Sequence, residues 1–278
     1  MREINCLKIT EAVKELVITA ARDLEPDILD ALFAARDREK SPLAKDVVEI
    51  LLANANIASR DQIPVCQDTG IAVVFVEIGQ DVHVTGNLQG AIQEGVRAGY
   101  DEGYLRKSVC DPLTRKNTGT NTPAVVHVEI STGDHLRLAF LPKGCGSENM
   151  SGLAMLPPSA GTEGIVRYVV DQVLAAGSNP CPPVIVGVGI GGTFEQAPLL
   201  AKKSLLRPVG DHSARKDVAE LEQRILAEIN QAGQGVHGLG GSNTALAVHI
   251  ELFPSHIASL PVAVNIQCHA HRHKETTL

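Results

Sequence analysis

Tryptophan is absent from this 278-residue chain, and aromatic residues make up only 3% of it. A core must therefore be filled by Ala, Val, Ile and Leu, within an apolar share of 44%. No apolar run reaches the roughly 18 residues that a membrane-spanning helix needs. The first 26 residues carry Glu3, Glu11 and Glu15 and lack the unbroken apolar stretch of a secretory signal, so a cytoplasmic protein is expected. There is no excess of positive charge either: the net charge of −7 argues against nucleic acid as the main partner. Six cysteines are present, but no two form a C-x-x-C pair, which excludes a zinc finger. In a reducing compartment they are not expected to form disulfides.

What is present reads as an α/β chain behind a helical N-terminal layer, expected as a single domain with residues 1–60 helical and 61–278 α/β. Ile9, Val13, Leu16, Val17 and Ala20 recur at helical spacing, with Thr10 as a candidate cap. A second helix is predicted from Pro26, and a third over residues 43–55, buried through Val47, Ile50 and Leu51. Strands are predicted at 71–76, 82–85, 124–130, 136–141, 184–188, 244–252 and 262–267, and helices at 88–103, 163–176, 194–206 and 217–231. Thr132-Gly133-Asp134 between two apolar runs is a hairpin signal.

Six loops are dense in glycine and small polar residues: 66–70, 117–123, 143–149, 179–183, 187–192 and 238–243. Glycine lets backbone approach a ligand and offers N–H groups to anions, so six such loops favour a shared ligand site. Gly187, Gly189 and Gly192 also fit the spacing of a dinucleotide-binding turn, which would make the chain a nucleotide-binding oxidoreductase. That fingerprint lies late in the chain, and no acidic residue closes a second strand at the usual distance.

Cys66-Gln67-Asp68-Thr69-Gly70, the loops 117–123 and 143–149, Cys181-Pro182-Pro183, and Cys268 before Ala270 and Arg272 occur in this order. Together they resemble the N-terminal, cluster-binding part of class I fumarases and the related tartrate dehydratases, over about residues 8–273. In two-subunit members that part is a separate alpha chain. The resemblance implies a 4Fe–4S cluster held by Cys66, Cys181 and Cys268, with Cys145 as a rival third ligand. Thiolates suit such clusters. Three ligands leave one iron open to act as a Lewis acid on a hydroxyl or water.

The resemblance also gives roles. Asp68 takes part in proton transfer at the hydroxyl, and Gln67 hydrogen-bonds substrate. Arg106 forks onto a carboxylate, and Gly146 turns its backbone to substrate. His256 matches a histidine that reaches the active site of the partner protomer. The implied activity is reversible hydration of fumarate to malate, with L-tartrate dehydration as the alternative. The implied partners are a small dicarboxylic acid and a beta subunit in an α2β2 assembly. His269, His271 and His273 depart from the family pattern; on a strand they would share one face and could hold a metal.

Overall fold

A computed structural model describes residues 2–278. It is a mixed α/β structure, as the pattern predicts. In chain order the elements are β1 (Arg2–Asn5), α1 (Cys6–Arg22), α2 (Pro26–Arg38), α3 (Pro42–Asp61), β2 (Ile71–Gly79), β3 (Val82–Thr85), α4 (Leu88–Glu102), β4 (Val125–Ser131) and β5 (Leu136–Lys143). There follow α5 (Cys145–Glu148), β6 (Gly152–Leu156), α6 (Gly161–Ala176), β7 (Val184–Gly191), α7 (Gln196–Ser204), α8 (Lys216–Ala232), β8 (Ala245–Phe253), β9 (Leu260–Gln267) and β10 (Lys274–Thr277). No helix among the described residues is long and apolar enough to cross a membrane.

Two of the first three helices differ in detail from the pattern. Helix α1 starts four residues before Thr10 because Asn5 caps it: the Asn5 side chain accepts the Leu7 N–H at 2.8 Å. Thr10 instead donates to the Ala91 carbonyl. Helix α3 buries Ala44, Val48, Leu51, Leu52, Ala55 and Ala58, whereas Ile50 is exposed. The buried stripe is rotated from the predicted one because short alanines, rather than the larger Val47 and Ile50, face inward.

The residues form two compact units, each assembled from separated stretches. One comprises residues up to Glu25, Asn54–Cys145 and Arg272–Leu278. Its sheet has the order β10-β5-β2-β4. Strands β2 and β5 are antiparallel, but β4 runs parallel to β2 on the other edge. The predicted hairpin between β4 and β5 is therefore absent: β2 lies between them, and its end at Gly79–Asp81 takes the hydrogen bonds a hairpin would have made within residues 131–135. Helices α1 and α4 cover one face, where Ile9, Val13, Ile92 and Val96 pack on Val74, Leu136 and Phe140. Each such side chain contributes about 1.5–3 kcal/mol when fully buried. The two helices cross at Gly95 and Gly99, where an added Cβ would stand 2.7 and 2.6 Å from the Cβ atoms of Val13 and Val17.

The other unit comprises Pro26–Ala53 and Gly146–His271. Its sheet has the order β6-β9-β7-β8, with β7 and β8 parallel and the remaining pairs antiparallel. Side chains alternate along β7. Val184, Val186, Val188 and Ile190 join the cluster formed with α6 and α8. Gly187 and Gly189 face α7, where an added Cβ would stand 2.1 Å from the Ala201 carbonyl oxygen and 2.0 Å from that of Ala197. The glycine fingerprint is thus a packing device inside a strand. Its first two glycines do not belong to a phosphate-binding turn after one, which removes the nucleotide-binding reading.

Candidate active site

Strand register decides which loops meet. In the first unit Ile71 at the start of β2 pairs with Lys143 at the end of β5. The loop 66–70 therefore lies beside Gly144 and Cys145. Lys274 pairs with Phe140, which brings Arg272 to the same end of the sheet. Gly70 adopts φ +76°, and an added Cβ would approach the Lys143 backbone to 2.8 Å, so only glycine fits.

Asp68 is held at every polar atom. One carboxylate oxygen accepts the Gly70 N–H at 3.0 Å and the other the Cys145 N–H at 2.9 Å. Its own N–H donates to Cys66 Sγ at 3.4 Å, and Gln67 Oε1 lies 3.6 Å from the same sulfur. Its carbonyl accepts from Arg272 Nη2 at 2.9 Å. The next two carbonyls are also fixed. The Tyr100 hydroxyl donates to those of Thr69 (2.7 Å) and Gly70 (3.0 Å), and Asn121 Nδ2 donates to that of Gly70 at 3.0 Å. Burial pushes the Tyr100 phenol far above its ordinary pKa, against the opposing pull of the Arg272 charge, so it stays a donor.

Arg106 joins this cluster through its backbone: Thr69 Oγ1 donates to its carbonyl at 2.6 Å. Its exposed side chain is steered by one bond, Nε to Ser108 Oγ at 3.0 Å, leaving the terminal nitrogens directed to solvent. Cys66, Gln67, Asp68, Arg106 and Cys145 thus share one end of one unit.

The second unit repeats the logic. Ile185 pairs with Gln267, so Cys181 before β7 and Cys268 after β9 come to the same end. Both the backbone N–H of His269 (3.4 Å) and its ring Nδ1 (3.0 Å) lie on the Cys181 carbonyl. Gly146 is here too, 3.3 Å from the Asn179 carbonyl as measured from an added Cβ, and Ser147 Oγ reaches Gln267 Oε1 at 3.3 Å. Cys181 is exposed and held at φ +56°, a conformation costing an ordinary residue about 1–2 kcal/mol. The His237 N–H donates to the Pro182 carbonyl, and its ring lies 5.1 Å from that of His269. Burial lowers the His237 pKa.

His256 is not brought to this end of the unit. It sits in the exposed turn before β9, whereas Cys268 follows β9, and eight strand residues span roughly 25 Å. The predicted one-faced row of histidines is also absent: residues 268–273 are irregular, between β9 and β10. His271 Nε2 is spent on the Leu205 carbonyl at 2.7 Å and His269 on Cys181. Among the described residues no group of three or more His, Cys, Asp and Glu side chains is arranged to hold a single metal ion.

Sequence reasoning gave no role to Tyr100, Asn121, Arg272 or His237. Asn121 and Arg272 lie in segments singled out for their polarity, which was the available signal. Tyr100 and His237 carried none, because their roles depend on helix and loop placement.

In each unit small polar loops lie at the strand ends with thiols among them, and in the first unit a fixed carboxylate lies beside the thiol of Cys66. The sequence model described as Fumarate hydratase (Fumerase) matches residues 10–277. The chain belongs to this hydro-lyase family. A Methanocaldococcus jannaschii protein provisionally named L(+)-tartrate dehydratase subunit alpha is 43% identical over 273 residues, covering 96% of each chain. Proteins named L(+)-tartrate dehydratase subunit alpha from Escherichia coli K12 and Shigella sonnei are each 33% identical over 269 residues, covering 95% of this chain and 89% of theirs.

Proposed function

We propose that this chain is the alpha subunit of an iron–sulfur hydro-lyase that removes water from L-tartrate. The observation carrying the substrate is the name shared by these relatives, the first of them 43% identical across 96% of both chains. Fumarate hydration is the second reading, favoured by the family description.

The donor set fits a 4Fe–4S cluster. None of the six cysteines is in a disulfide. Cys66, Cys181 and Cys268 sit on loops at strand ends, and Cys66 Sγ already accepts a backbone N–H, as cluster sulfurs do. When bound, the cluster supplies a Lewis-acidic iron for the substrate hydroxyl. Cys145, whose N–H supports Asp68, is the alternative third ligand.

This chain's residues bind the acid and serve the hydroxyl, and the C–H proton leaves to a base outside this set. Elimination of water breaks one C–H and one C–OH bond, and the resulting enol tautomerises to a 2-oxo acid. Asp68, fixed by two N–H donors, transfers the proton at the departing hydroxyl. Arg106 presents its free fork to a carboxylate. Gln67 and the Gly146 backbone orient the acid. His256, lying apart from Cys268 along β9, serves the site of another protomer.

Anaerobic preparation with the beta subunit, followed by steady-state rates, tests this reading. kcat/KM for L-tartrate should exceed that for malate at least tenfold, and the reverse ratio would establish the fumarase reading. Cys66→Ser, Cys181→Ser and Cys268→Ser should each lose iron and sulfide. Cys145→Ser should retain both; its loss, with retention in Cys268→Ser, would exchange the two roles.

A further inference from the structure

Arg272 is the largest side chain buried to under 2% exposure, with 1% of its surface accessible. Nη2 donates to the Asp68 carbonyl at 2.9 Å, but Nε and Nη1 have no hydrogen-bond partner. No carboxylate among the described residues forms an ion pair with it. Its charge acts on the Tyr100 phenol, as does that of the Asp68 carboxylate, but that carboxylate is spent on the Gly70 and Cys145 N–H groups and makes no ion pair with the guanidinium. A guanidinium is always charged. Withdrawing it from water without a counter-charge costs several kcal/mol, and natural chains avoid this unless a partner anion balances it.

Holding a loop does not require that cost. Tyr100 and Asn121, both neutral, fix the adjacent carbonyls of Thr69 and Gly70. What Arg272 adds at the third carbonyl is charge. Cys66, two residues from Asp68, is the thiolate proposed to carry the cluster, so the missing anion belongs where that group would bind.

We propose that Arg272 is a positioning residue that fixes the Asp68 peptide and provides the buried positive charge balancing the anionic iron–sulfur group ligated by Cys66. This rests on the iron–sulfur reading above. The charge stabilises the more negative, reduced state of the group more than the oxidised one, so its removal lowers the reduction potential. A residue that merely filled space would leave that potential unchanged.

The test uses the full chain, reconstituted anaerobically with ferrous iron and sulfide, as wild type, Arg272→Gln and Arg272→Lys. Iron and sulfide are counted, and the reduction potential is followed by electron paramagnetic resonance. Arg272→Gln, which keeps a donor for the Asp68 carbonyl, should hold less than half the wild-type iron, and what it holds should titrate at a more negative potential. Arg272→Lys should load normally and titrate as wild type. Equal loading and potential in Arg272→Gln would overturn the proposal while leaving the iron–sulfur reading intact. Failure of the wild type itself to take up iron and sulfide would instead remove that reading and the proposal with it. If Arg272→Gln does not fold, Arg272→Lys decides alone: a folded variant that loses the cluster or shifts its potential refutes the role of charge.

Discussion

At Glu39 one carboxylate gathers five donors. Oε1 accepts the N–H groups of Lys40 and Ser41 ahead of α3. Oε2 accepts the Ser242 N–H and hydroxyl and the Asn243 amide. The residue thereby ties the glycine loop 238–243 to the start of a helix within the same unit. Burial would raise its pKa, but the N–H groups of Ser41 and Ser242, the Asn243 amide and the Lys40 N–H together outweigh burial and hold it below 4.5. A carboxyl depressed on folding contributes stability that is complete above 4.5 and is lost as pH falls through the lower folded value. Glu39→Gln should therefore lower stability at neutral pH by about 1.5–3 kcal/mol, and its deficit in thermal melts should shrink as the pH is taken from 7 towards 3. A deficit constant with pH would mean that Glu39 acts by shape alone. In the sequence Glu39 looks like an ordinary surface charge at the end of a helix. Its partners in the loop 238–243 lie about 200 residues away, a separation at which no local pattern carries information. The chemistry-bearing loop 66–70, by contrast, was legible because its glycine, thiol and acid are consecutive.

At the scale of elements, periodicity located most helices and strands, since apolar spacing records which face is buried. It failed where pairing is non-local. The turn at Thr132–Asp134 has hairpin residues, yet β2 from fifty residues earlier separates the strands it joins. Periodicity did locate β7, but the spacing of its glycines also matches a ligand-binding turn, whereas in the fold they admit α7. Gly189→Ala states the difference as a measurement. A methyl group 2.0 Å from the Ala197 carbonyl oxygen must displace the helix, at a cost of about 3 kcal/mol or more. The denaturation midpoint should fall accordingly. An unchanged midpoint would show that α7 yields freely and that the glycine is not kept for packing.

At the scale of the molecule, on the reading proposed above, Arg106, Gln67 and Asp68 would present one arginine fork, one amide and one acid to a substrate with two carboxylates and two hydroxyls. That inventory is short, and the relatives are named as alpha subunits. Turnover should be negligible for this chain by itself and appear when a beta subunit is added, with the active species eluting at the mass of an α2β2 assembly. Full turnover by the isolated chain would refute this. The placement of β10 has a temporal consequence. Residues 274–277 pair with β5, and Leu278 exchanges backbone hydrogen bonds with Leu136. The first unit therefore cannot close its sheet during translation until the ribosome has made and released all the residues in between. Arg272 arrives with the same late strand, so a nascent chain halted short of it would display Cys66 and Asp68 on a loop still missing its cation.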